Sequence, residues 1–316
     1  MRSGADMIAT ITLNPSIDQH VLVEGFVKDD ANRAKRVMDD PGGKGLNVSK
    51  VVRELGGRTH AYGFSAGHVG LYWETLVRRL DIPFTAVRVC GQTRINTIIT
   101  DLKDRSQTRI SAPGPRIPAQ AVGRLRRILL AARPRPFLWA LGGSLPEGMR
   151  PDAYARIIRA LRRQGGRCIL DTDDESLRLG ILAGPFMIKP NEYEMRRLTG
   201  RRLESIGDYL RAARAVVRRG VGIVIVSLAA RGALFVTAKD AFHVSTPRVP
   251  IKSRVGAGDS LIGGFALGLE RRLGLREAAR LGVAASTSAV MTEGTRLCRR
   301  SDIPKLLSRV KITPLI

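Results

Sequence analysis

The chain has 316 residues, 44% of them hydrophobic, and its 53 Lys and Arg against 28 Asp and Glu give a formal net charge of +25. This composition supports one large α/β domain, and no apolar run approaches the length of a membrane span. The basic residues are scattered and aromatic residues are only 5% of the chain, which argues against a nucleic-acid surface, and the separated Cys90, Cys168 and Cys298 indicate a reducing cytoplasm. Residues 1–6 look like a loose leader before a domain at 7–316.

The first elements predict a sheet and an excursion from it. Residues 7–14 are mostly apolar and are typical of a buried strand. Asp18 follows where α/β sheets place ligands, although an aspartate in a turn is equally ordinary there. Segments 19–40 and 94–111 contain short strand patterns separated by polar residues, so they are predicted to form a small separate β-sheet.

A glycine-rich turn, Pro41-Gly42-Gly43-Lys44-Gly45, comes before apolar residues at helical spacing. The free backbone N–H groups of such a turn, together with the Lys44 ammonium, suit a phosphate group. The turn is not a Walker A loop, because no Ser or Thr follows the lysine at the required place. A purely structural tight turn is the alternative.

Strand and helix patterns alternate from 118 to 240, and helices are predicted near 276–291 and 302–309. Such alternation predicts a mostly parallel, doubly wound sheet with helices on both faces. The loops after its strands then share one edge, and they include positions 18, 42–47, 144, 171, 191 and 256–259.

Asn191 and Glu194 open one of the predicted helices. Asn at the cap with Glu three residues later is close to a capping box, which is a structural device. The functional alternative is a glutamate directed towards a hydrated Mg²⁺, which prefers oxygen ligands and keeps several waters.

The segment Arg254-Val255-Gly256-Ala257-Gly258-Asp259-Ser260 is the most informative stretch of the chain. Bulky apolar residues follow at helical spacing, so the two glycines form a turn at a helix N-terminus, where free N–H groups make an anion site. A carboxylate at its mouth suits proton removal from a hydroxyl that attacks a phosphoryl group. The alternative is that Asp259 only caps the helix.

Together these motifs resemble the ribokinase/PfkB family of carbohydrate kinases, and within it the branch that phosphorylates sugar phosphates. The resemblance implies a ribokinase-like three-layer α/β domain with a β-sheet lid, here 19–40 and 94–111, which pairs with a second copy in a homodimer. The six segments that carry it are Leu13–Asp18, Pro41–Asn47, Thr93–Asn96, Gly143–Pro146, Lys189–Glu194 and Val255–Ser260.

The resemblance also implies residue roles. Asp259 matches the catalytic base, and Gly256, Ala257 and Gly258 match the anion hole. Asn191 and Glu194 match the motif that organises Mg²⁺, through water, at the phosphates of ATP. The remaining positions match contacts to the sugar (Asp18, Gly43, Asn47 and Ser144), to its phosphate (Lys44, Arg94 and, from the lid of either subunit, Arg33), to the nucleotide (Lys189, Ser227 and Gly232), and to a monovalent cation such as K⁺ held by some relatives (Ser253, Val255, Ala289 and Gly294).

Two departures from the family pattern concern the nucleotide. Relatives commonly have a glycine two residues after the position of Ser227, but this chain has Ala229, followed by Arg231 and Gly232. The stretch 171–174, Asp-Thr-Asp-Asp, is more acidic than the usual small-residue version. Both departures leave the identity of the phosphoryl donor open.

The pair of Lys44 and Arg94 favours an acceptor that already carries a phosphate. The leading hypothesis is ATP-dependent conversion of fructose 6-phosphate to fructose 1,6-bisphosphate, because 294–298 resembles 6-phosphofructokinases. The segments 93–96 and 113–115 fit a tagatose-6-phosphate kinase or a 1-phosphofructokinase equally well. A non-catalytic sugar-, nucleotide- or nucleic-acid-binding protein is the alternative from another class, against which the intact glycine turn and the scattered arginines argue.

Overall fold

The computed structural model describes residues 7–292 and 297–315, and its elements build two β-sheets of different size. The strands are β1 Ile8–Thr12, β2 Ser16–Val23, β3 Arg36–Gly42, β4 Thr59–Ala66, β5 Phe84–Val89, β6 Arg94–Asp101, β7 Gln107–Ile110, β8 Leu138–Gly142, β9 Cys168–Asp171, β10 Met187–Ile188, β11 Ile223–Ser227, β12 Ala233–Val236, β13 Ala241–Val244 and β14 Ile312–Pro314. The helices are α1 Lys44–Glu54, α2 Gly67–Arg78, α3 Ala119–Ala131, α4 Ala153–Arg162, α5 Asp174–Ile181, α6 Glu192–Thr199, α7 Ile206–Val217, α8 Ala257–Glu270, α9 Leu275–Val290 and α10 Ile303–Leu307.

The large sheet has ten strands in the order β14-β13-β12-β11-β10-β9-β8-β1-β4-β5. Neighbours from β11 to β5 run parallel, whereas β12, β13 and β14 add an antiparallel edge. The central strand β1 is buried along its whole length, as expected for a parallel sheet that is covered on both faces. The predicted mostly parallel sheet is confirmed.

Helices cover both faces of this sheet and create two apolar cores. Residues of α3 to α7 pack on one face, around the fully buried Tyr154 and Tyr209. Residues of α1, α8, α9 and α10 pack on the other face, around Phe235 and Phe265. The predicted three-layer architecture is therefore confirmed, and within the described ranges no helix is long and apolar enough to cross a bilayer.

The small sheet has the order β3-β2-β6-β7. Its central strands β2 and β6 are parallel, with Ser16 beside Arg94 and Asp18 beside Asn96. Asp18 thus lies inside a strand rather than in a loop after β1, because the chain passes from the large sheet into the small one within three residues. The carboxyl end of β1 and the start of β2 therefore meet at one place.

Some sequence expectations have a different outcome in the structure. The edge strands β5 and β14 were not predicted, and β14 is three residues long and ends in Pro314, so it has no detectable period; proline is tolerated in edge strands. The expected leader 1–6 and the expected cation position Gly294 lie outside the described residues.

Candidate active site

Helix α8 begins at the carboxyl edge of the large sheet and points its N-terminus into the site. Gly256 caps it with a φ of 75°, a left-handed conformation that favours glycine because it has no Cβ. Ala257 and Gly258 form the first turn, where backbone N–H groups have no partner within the helix. The turn therefore presents donors and the positive end of the helix dipole to an anion.

Asp259 lies in that first turn and is buried, with 7% of its surface exposed. Asn47, from α1, donates its side-chain amide to Asp259 Oδ2 at 2.8 Å and orients the carboxylate. Burial and, to a smaller extent, the charge of Asp171 raise the pKa of Asp259 to about 6, against the opposing effects of Lys44, the Asn47 hydrogen bond and Lys189. A base with a pKa near 6 is charged at neutral pH and can accept a proton.

Two lysines flank Asp259 and share one carboxylate. Asp171, at the end of β9, lies 3.3 Å from Lys44 Nζ and 3.4 Å from Lys189 Nζ. A Cβ at Gly258 would lie 3.0 Å from Lys189 Nζ, so the missing side chain lets this ammonium approach the N-terminus of α8. The structure thus concentrates positive charge where the sequence predicts an anion hole.

The charges in this cluster stabilise each other. Burial alone would raise the pKa of Asp171, but Lys189 and Lys44 hold it below its usual range. Burial alone would lower the pKa of Lys44, but Asp171, Asp259 and Glu194 raise it above its usual value. Asp171 and Lys44 therefore both stay ionised at neutral pH.

The small sheet supplies the opposite wall of the site. Asn96 donates to Asp18 Oδ1 at 2.8 Å, and the Ser16 hydroxyl donates to the same oxygen at 2.8 Å. Gly42 lies beside Asp18, and a Cβ at Gly42 would lie 2.5 Å from Asp18 Oδ2, whereas Gly43 packs against Thr12 and Pro15. Asp18 is thus oriented by two donors, which leaves its other oxygen for a ligand hydroxyl.

Arg94 lies half-buried at the foot of the same wall. Its guanidinium donates to the carbonyls of Asn14 and Ala112, at 3.1 and 3.3 Å. Among the described residues its buried Nε has no hydrogen-bond partner, and burial lowers the pKa of Arg94, with Arg109 adding to this effect and Asp18 opposing it. A second anion could satisfy this cation.

Ser144 and Arg109 complete this side. Asn14 Nδ2 donates to the exposed Ser144 hydroxyl at 3.3 Å, and Arg109, from β7, lies 3.9 Å from Asp18 Oδ1. The sequence patterns did not indicate a role for Asn14, Asn96 or Arg109. The role of Asn96 could have been predicted, because alternate residues of a strand share a face and Asn96 lies two residues after Arg94 in β6.

The predicted phosphate pair, Lys44 and Arg94, lies in two different charge environments. The charges that act on Lys44 are those of Asp171, Asp259 and Glu194, whereas Arg94 shares its surroundings with Asp18 and Arg109. Lys44 therefore belongs to the cluster at α8, and the neighbour of Arg94 is Arg109. Arg33 is exposed and lines a cavity of about 340 Å³ in the segment between β2 and β3.

Asn191 and Glu194 form a complete capping box at α6. Asn191 Oδ1 accepts from the Glu194 backbone N–H at 2.8 Å, and Glu194 Oε2 accepts from the Asn191 N–H at 2.9 Å. Burial raises the pKa of Glu194, Asp171 adds to this effect, and Lys189 opposes it. A carboxylate in a capping box keeps acceptor capacity on its other oxygen, so the structural role leaves room for a hydrated cation.

The nucleotide-side loop follows β11 next to this box. Ser227 forms a parallel β-bridge with Asn191. Ala229 has a φ of 51°, which explains the family preference for glycine at this position, because a Cβ is disfavoured there. Gly232, with a φ of 94°, ends the turn, and Arg231 forms an ion pair of 2.5 Å with Glu192.

The predicted cation positions are partly assembled. The buried Ser253 donates its backbone N–H to the Val290 carbonyl at 3.3 Å, and its hydroxyl accepts from the Val255 N–H at 3.2 Å. The Ala289 carbonyl accepts from the Thr292 hydroxyl at 2.8 Å. In the described ranges, no group of three or more His, Cys, Asp or Glu is arranged to hold a metal ion.

Comparisons with known proteins agree with this geometry. The model of the pfkB family carbohydrate kinases matches residues 8–302. The 1-phosphofructokinase of Bacillus subtilis is 33% identical over 309 residues, covering 98% of this chain and 100% of the relative. The ATP-dependent 6-phosphofructokinase isozyme 2 of Escherichia coli is 32% identical over 301 residues, covering 95% and 97%.

Solved structures give the same result. The phosphofructokinase-2 of Escherichia coli, determined in complex with potassium, superposes with a TM-score of 0.92 at 31% identity, covering 96% of this chain and 99% of that one. The likeness therefore extends over nearly the whole chain.

Proposed function

Since the chain belongs to the pfkB family of carbohydrate kinases, which are phosphotransferases, we propose that it transfers the terminal phosphoryl group of ATP to a hydroxyl of a hexose phosphate. The leading acceptor is fructose 6-phosphate, phosphorylated at its 1-hydroxyl. The observation that carries this proposal is the buried Asp259, held by Asn47 at the N-terminus of α8 beside two lysines.

Asp259 acts as the general base. Its carboxylate takes the proton of the acceptor hydroxyl while that oxygen attacks the γ-phosphorus and the bond to the ADP oxygen breaks. A pKa near 6 keeps the base charged at neutral pH and still gives it proton affinity. Asn47 fixes the carboxylate's orientation and is a sugar contact as well.

The turn at 256–258 is the anion hole. Its backbone N–H groups, with Lys189 and Lys44 close by, stabilise charge on the transferring phosphoryl oxygens. Because these donors are already in place, they need no reorganisation during the reaction. Stabilisation of the developing charge by such fixed donors is usually the largest single contribution to catalysis.

The nucleotide and Mg²⁺ fit the residues of the α6 edge. Glu194 is a partly buried carboxylate with acceptor capacity beyond its capping bond, and Mg²⁺ takes only one or two carboxylates in such sites because phosphates and waters complete its shell. When bound, Mg²⁺ neutralises charge on the ATP phosphates. The nucleotide would lie against Asn191, Ser227 and Gly232. A monovalent cation would take its oxygen ligands from Ser253, Val255 and Ala289.

The acceptor lies between the two sheets. Asp18, Gly43 and Ser144 face the sugar, and Asp18 accepts hydrogen bonds from its hydroxyls. Arg94 and Arg109 bind the phosphate that the sugar already carries, because a guanidinium fork matches phosphate oxygens. This proposal keeps Arg94 from the predicted pair and assigns Lys44 to the phosphoryl group that is transferred.

Two other acceptors fit the same site. Fructose 1-phosphate and tagatose 6-phosphate are the alternatives, and the similarity to a 1-phosphofructokinase (33% identity) and to a 6-phosphofructokinase (32%) is nearly equal. The choice depends on which hydroxyl faces Asp259 once the phosphate is held by the arginines.

The small sheet is proposed as a lid and as the contact of a homodimer. Its strands and tip expose a set of large apolar side chains, a composition that favours burial against another surface. These residues are Phe26, Val27, Val37, Ile95, Leu102 and Ile110. Arg33, near the tip, reaches a substrate of the same or the neighbouring subunit in such a dimer.

An ADP-release assay tests the proposal. Purified protein with Mg-ATP is given fructose 6-phosphate, fructose 1-phosphate, tagatose 6-phosphate and free fructose in parallel. We expect turnover of one phosphosugar at a kcat/KM at least tenfold above the others and above free fructose. Equal or faster turnover of free fructose, or no turnover of any phosphosugar, would contradict the proposal.

A further inference from the structure

Asp171 lies at the centre of the site, between Lys44 and Lys189. It is the last residue of β9, it is 4% exposed, and its two oxygens face two different lysines. We propose that Asp171 is a positioning residue that holds the ammonium groups of Lys44 and Lys189 beside the N-terminus of α8, where the phosphoryl group is transferred. This inference rests on the proposed function and adds to it.

The position of the carboxylate is fixed by the fold. The Asp171 carbonyl accepts from the Gly143 N–H at 3.0 Å, and the next residue, Thr172, donates its hydroxyl to the Gly143 carbonyl at 3.0 Å. Tyr154 donates to that same carbonyl at 3.0 Å. Three hydrogen bonds therefore anchor the ends of β8 and β9, and Asp171 has little freedom to move.

The two lysines come from separate parts of the chain. Lys44 is the first residue of α1 and is partly exposed, whereas Lys189 follows β10 and is 6% exposed. Like charges repel each other, so two ammonium groups near one helix N-terminus need a shared counter-ion. Asp171 supplies that charge, and its bridge leaves one net positive charge for the phosphoryl oxygens.

The bridge is incomplete as a purely structural ion pair. Asp171 Oδ1 is 3.4 Å from Lys189 Nζ, and within the described part of the chain this buried oxygen has no hydrogen-bond partner. A bridge built only for stability would satisfy this oxygen, because an unsatisfied buried acceptor is costly. Lys189 Nζ also lies 3.0 Å from the position that a Cβ at Gly258 would occupy, so the ammonium group is held next to the N-terminus of α8.

The charge of Asp171 also acts on the base. The groups that face Asp259 are Lys44 and Lys50 from α1, Asp171 from β9, and Lys189. Asp171 raises the pKa of Asp259 and the lysines lower it. Removal of the Asp171 charge should therefore move the titration of Asp259 to lower pH.

The first experiment compares Asp171→Asn with Asp81→Asn, a matched change at an exposed carboxylate outside the site. We expect Asp171→Asn to lower kcat by about 10- to 100-fold, with the KM for Mg-ATP changed less than about threefold, because a misplaced group costs rate more than binding. The acidic limb of its kcat/KM profile should move down by about half a pH unit or more. Asp81→Asn should match the parent chain in kcat and in the position of the acidic limb.

The second experiment needs no turnover. Carbon-13 NMR of protein labelled at the aspartate carboxyl carbons follows the Asp259 signal, assigned with Asp259→Asn, as the pH is changed. Its midpoint should be near 6 in the parent chain, lower in Asp171→Asn, and near the parent value in Asp171→Glu, which keeps the charge. Since no substrate is present, an inactive parent chain would count against the proposed function while the titration still decides on Asp171.

Three results would overturn the inference. The first is a kcat loss in Asp171→Asn with an unmoved acidic limb, which indicates a structural role alone. The second is an unchanged kcat. The third is a midpoint in Asp171→Glu as low as that expected for Asp171→Asn, and this result remains decisive if Asp171→Asn does not fold.

Discussion

The two walls of the site are built in different ways. On the large sheet, Asp259, Asp171 and Lys189 are nearly inaccessible to solvent and compensate one another's charges. On the small sheet, Arg94 is half-buried and Arg109 is exposed. Across the ranges that the structure describes, the buried Nε of Arg94 has no hydrogen-bond partner. The buried wall suits chemistry, which needs a dry, fixed field, and the open wall suits recognition of a ligand that brings its own charge.

The difference predicts which measurements respond to each wall. Changes on the large sheet should alter kcat and the pH dependence, whereas changes on the small sheet should alter the KM for the acceptor. A change on one wall that produced the other wall's response would break this division.

Among the changes that separate the two walls, Asp259→Asn should have the largest effect on the free energy of unfolding. Asp259→Asn should raise the free energy of unfolding at neutral pH by up to about 3 kcal/mol, because the folded pKa of about 6 lies above the ordinary 3.8. A raised carboxyl pKa gives stability that is complete below pH 3.8 and is lost as the pH rises through about 6. The gain should therefore disappear near pH 4, and urea unfolding at both pH values measures it.

A matched control for this prediction is Asp208→Asn. Asp208 is in the exposed capping box of α7, where backbone and side-chain hydrogen bonds from Ser205 lower its pKa to about 2. Because the shift has the opposite sign, Asp208→Asn should not stabilise the protein at neutral pH. Equal stabilisation by both variants would contradict the account of Asp259.

On the small sheet, Arg94→Ala should raise the KM for the preferred hexose phosphate about 10- to 100-fold, since a charge-assisted hydrogen bond contributes roughly 1.5–3 kcal/mol. The kcat should change much less, and the KM for a free hexose should hardly change. The exposed Arg126→Ala is the control for a lost surface charge. Equal effects of Arg94→Ala on both acceptors would contradict a phosphate contact.

The pH dependence is the next largest effect. Because Asp259 must be deprotonated to act as a base, kcat/KM should fall about tenfold per pH unit below pH 6. The acidic limb of the kcat/KM profile should be the same in Arg94→Ala, because the charge that this variant removes lies on the other wall. Initial rates from pH 5 to 8 decide this, and a limb that moved with Arg94 would show that the two walls are not separate.

The smallest expected effect concerns the nucleotide loop. Ala229→Gly should stabilise the protein by about 0.5–1 kcal/mol, because a left-handed Ala229 is strained. Ala230→Gly, in the same turn, should not stabilise it. Thermal unfolding of both variants is sufficient, and a loss of stability in Ala229→Gly would show that the turn tolerates its alanine without strain.

The sequence predicted the architecture and the position of the site because both depend on local patterns. The spacing of apolar residues predicts the strands and helices, and therefore the layers of the fold. A glycine turn such as 256–258 indicates a helix N-terminus without any information about distant contacts. Asn191 and Glu194 were predicted as a capping box or a cation site, and the structure shows that the box leaves the second role possible.

The parts that could not be predicted depend on contacts between distant segments. The direction of Lys44 is set by Asp171 at the end of another strand, and Arg109 reaches Asp18 through the pairing of β7 with β6 and of β6 with β2. The sequence predicts a small sheet from 19–40 and 94–111, but it has no local signal for the register of these strands or for the contact between Lys44 and Asp171. The strain at Ala229 could not be predicted from the sequence either, because it depends on the left-handed backbone conformation of the folded turn.

The central claim is that Asp259 is the base of a phosphoryl transfer at the N-terminus of α8. Its most direct test is single-turnover transfer of a radiolabelled γ-phosphoryl group to the preferred hexose phosphate, in the parent chain and in Asp259→Asn. We expect the rate to fall by at least about 10³-fold while ATP binding is retained. Transfer by Asp259→Asn within tenfold of the parent rate would contradict the claim.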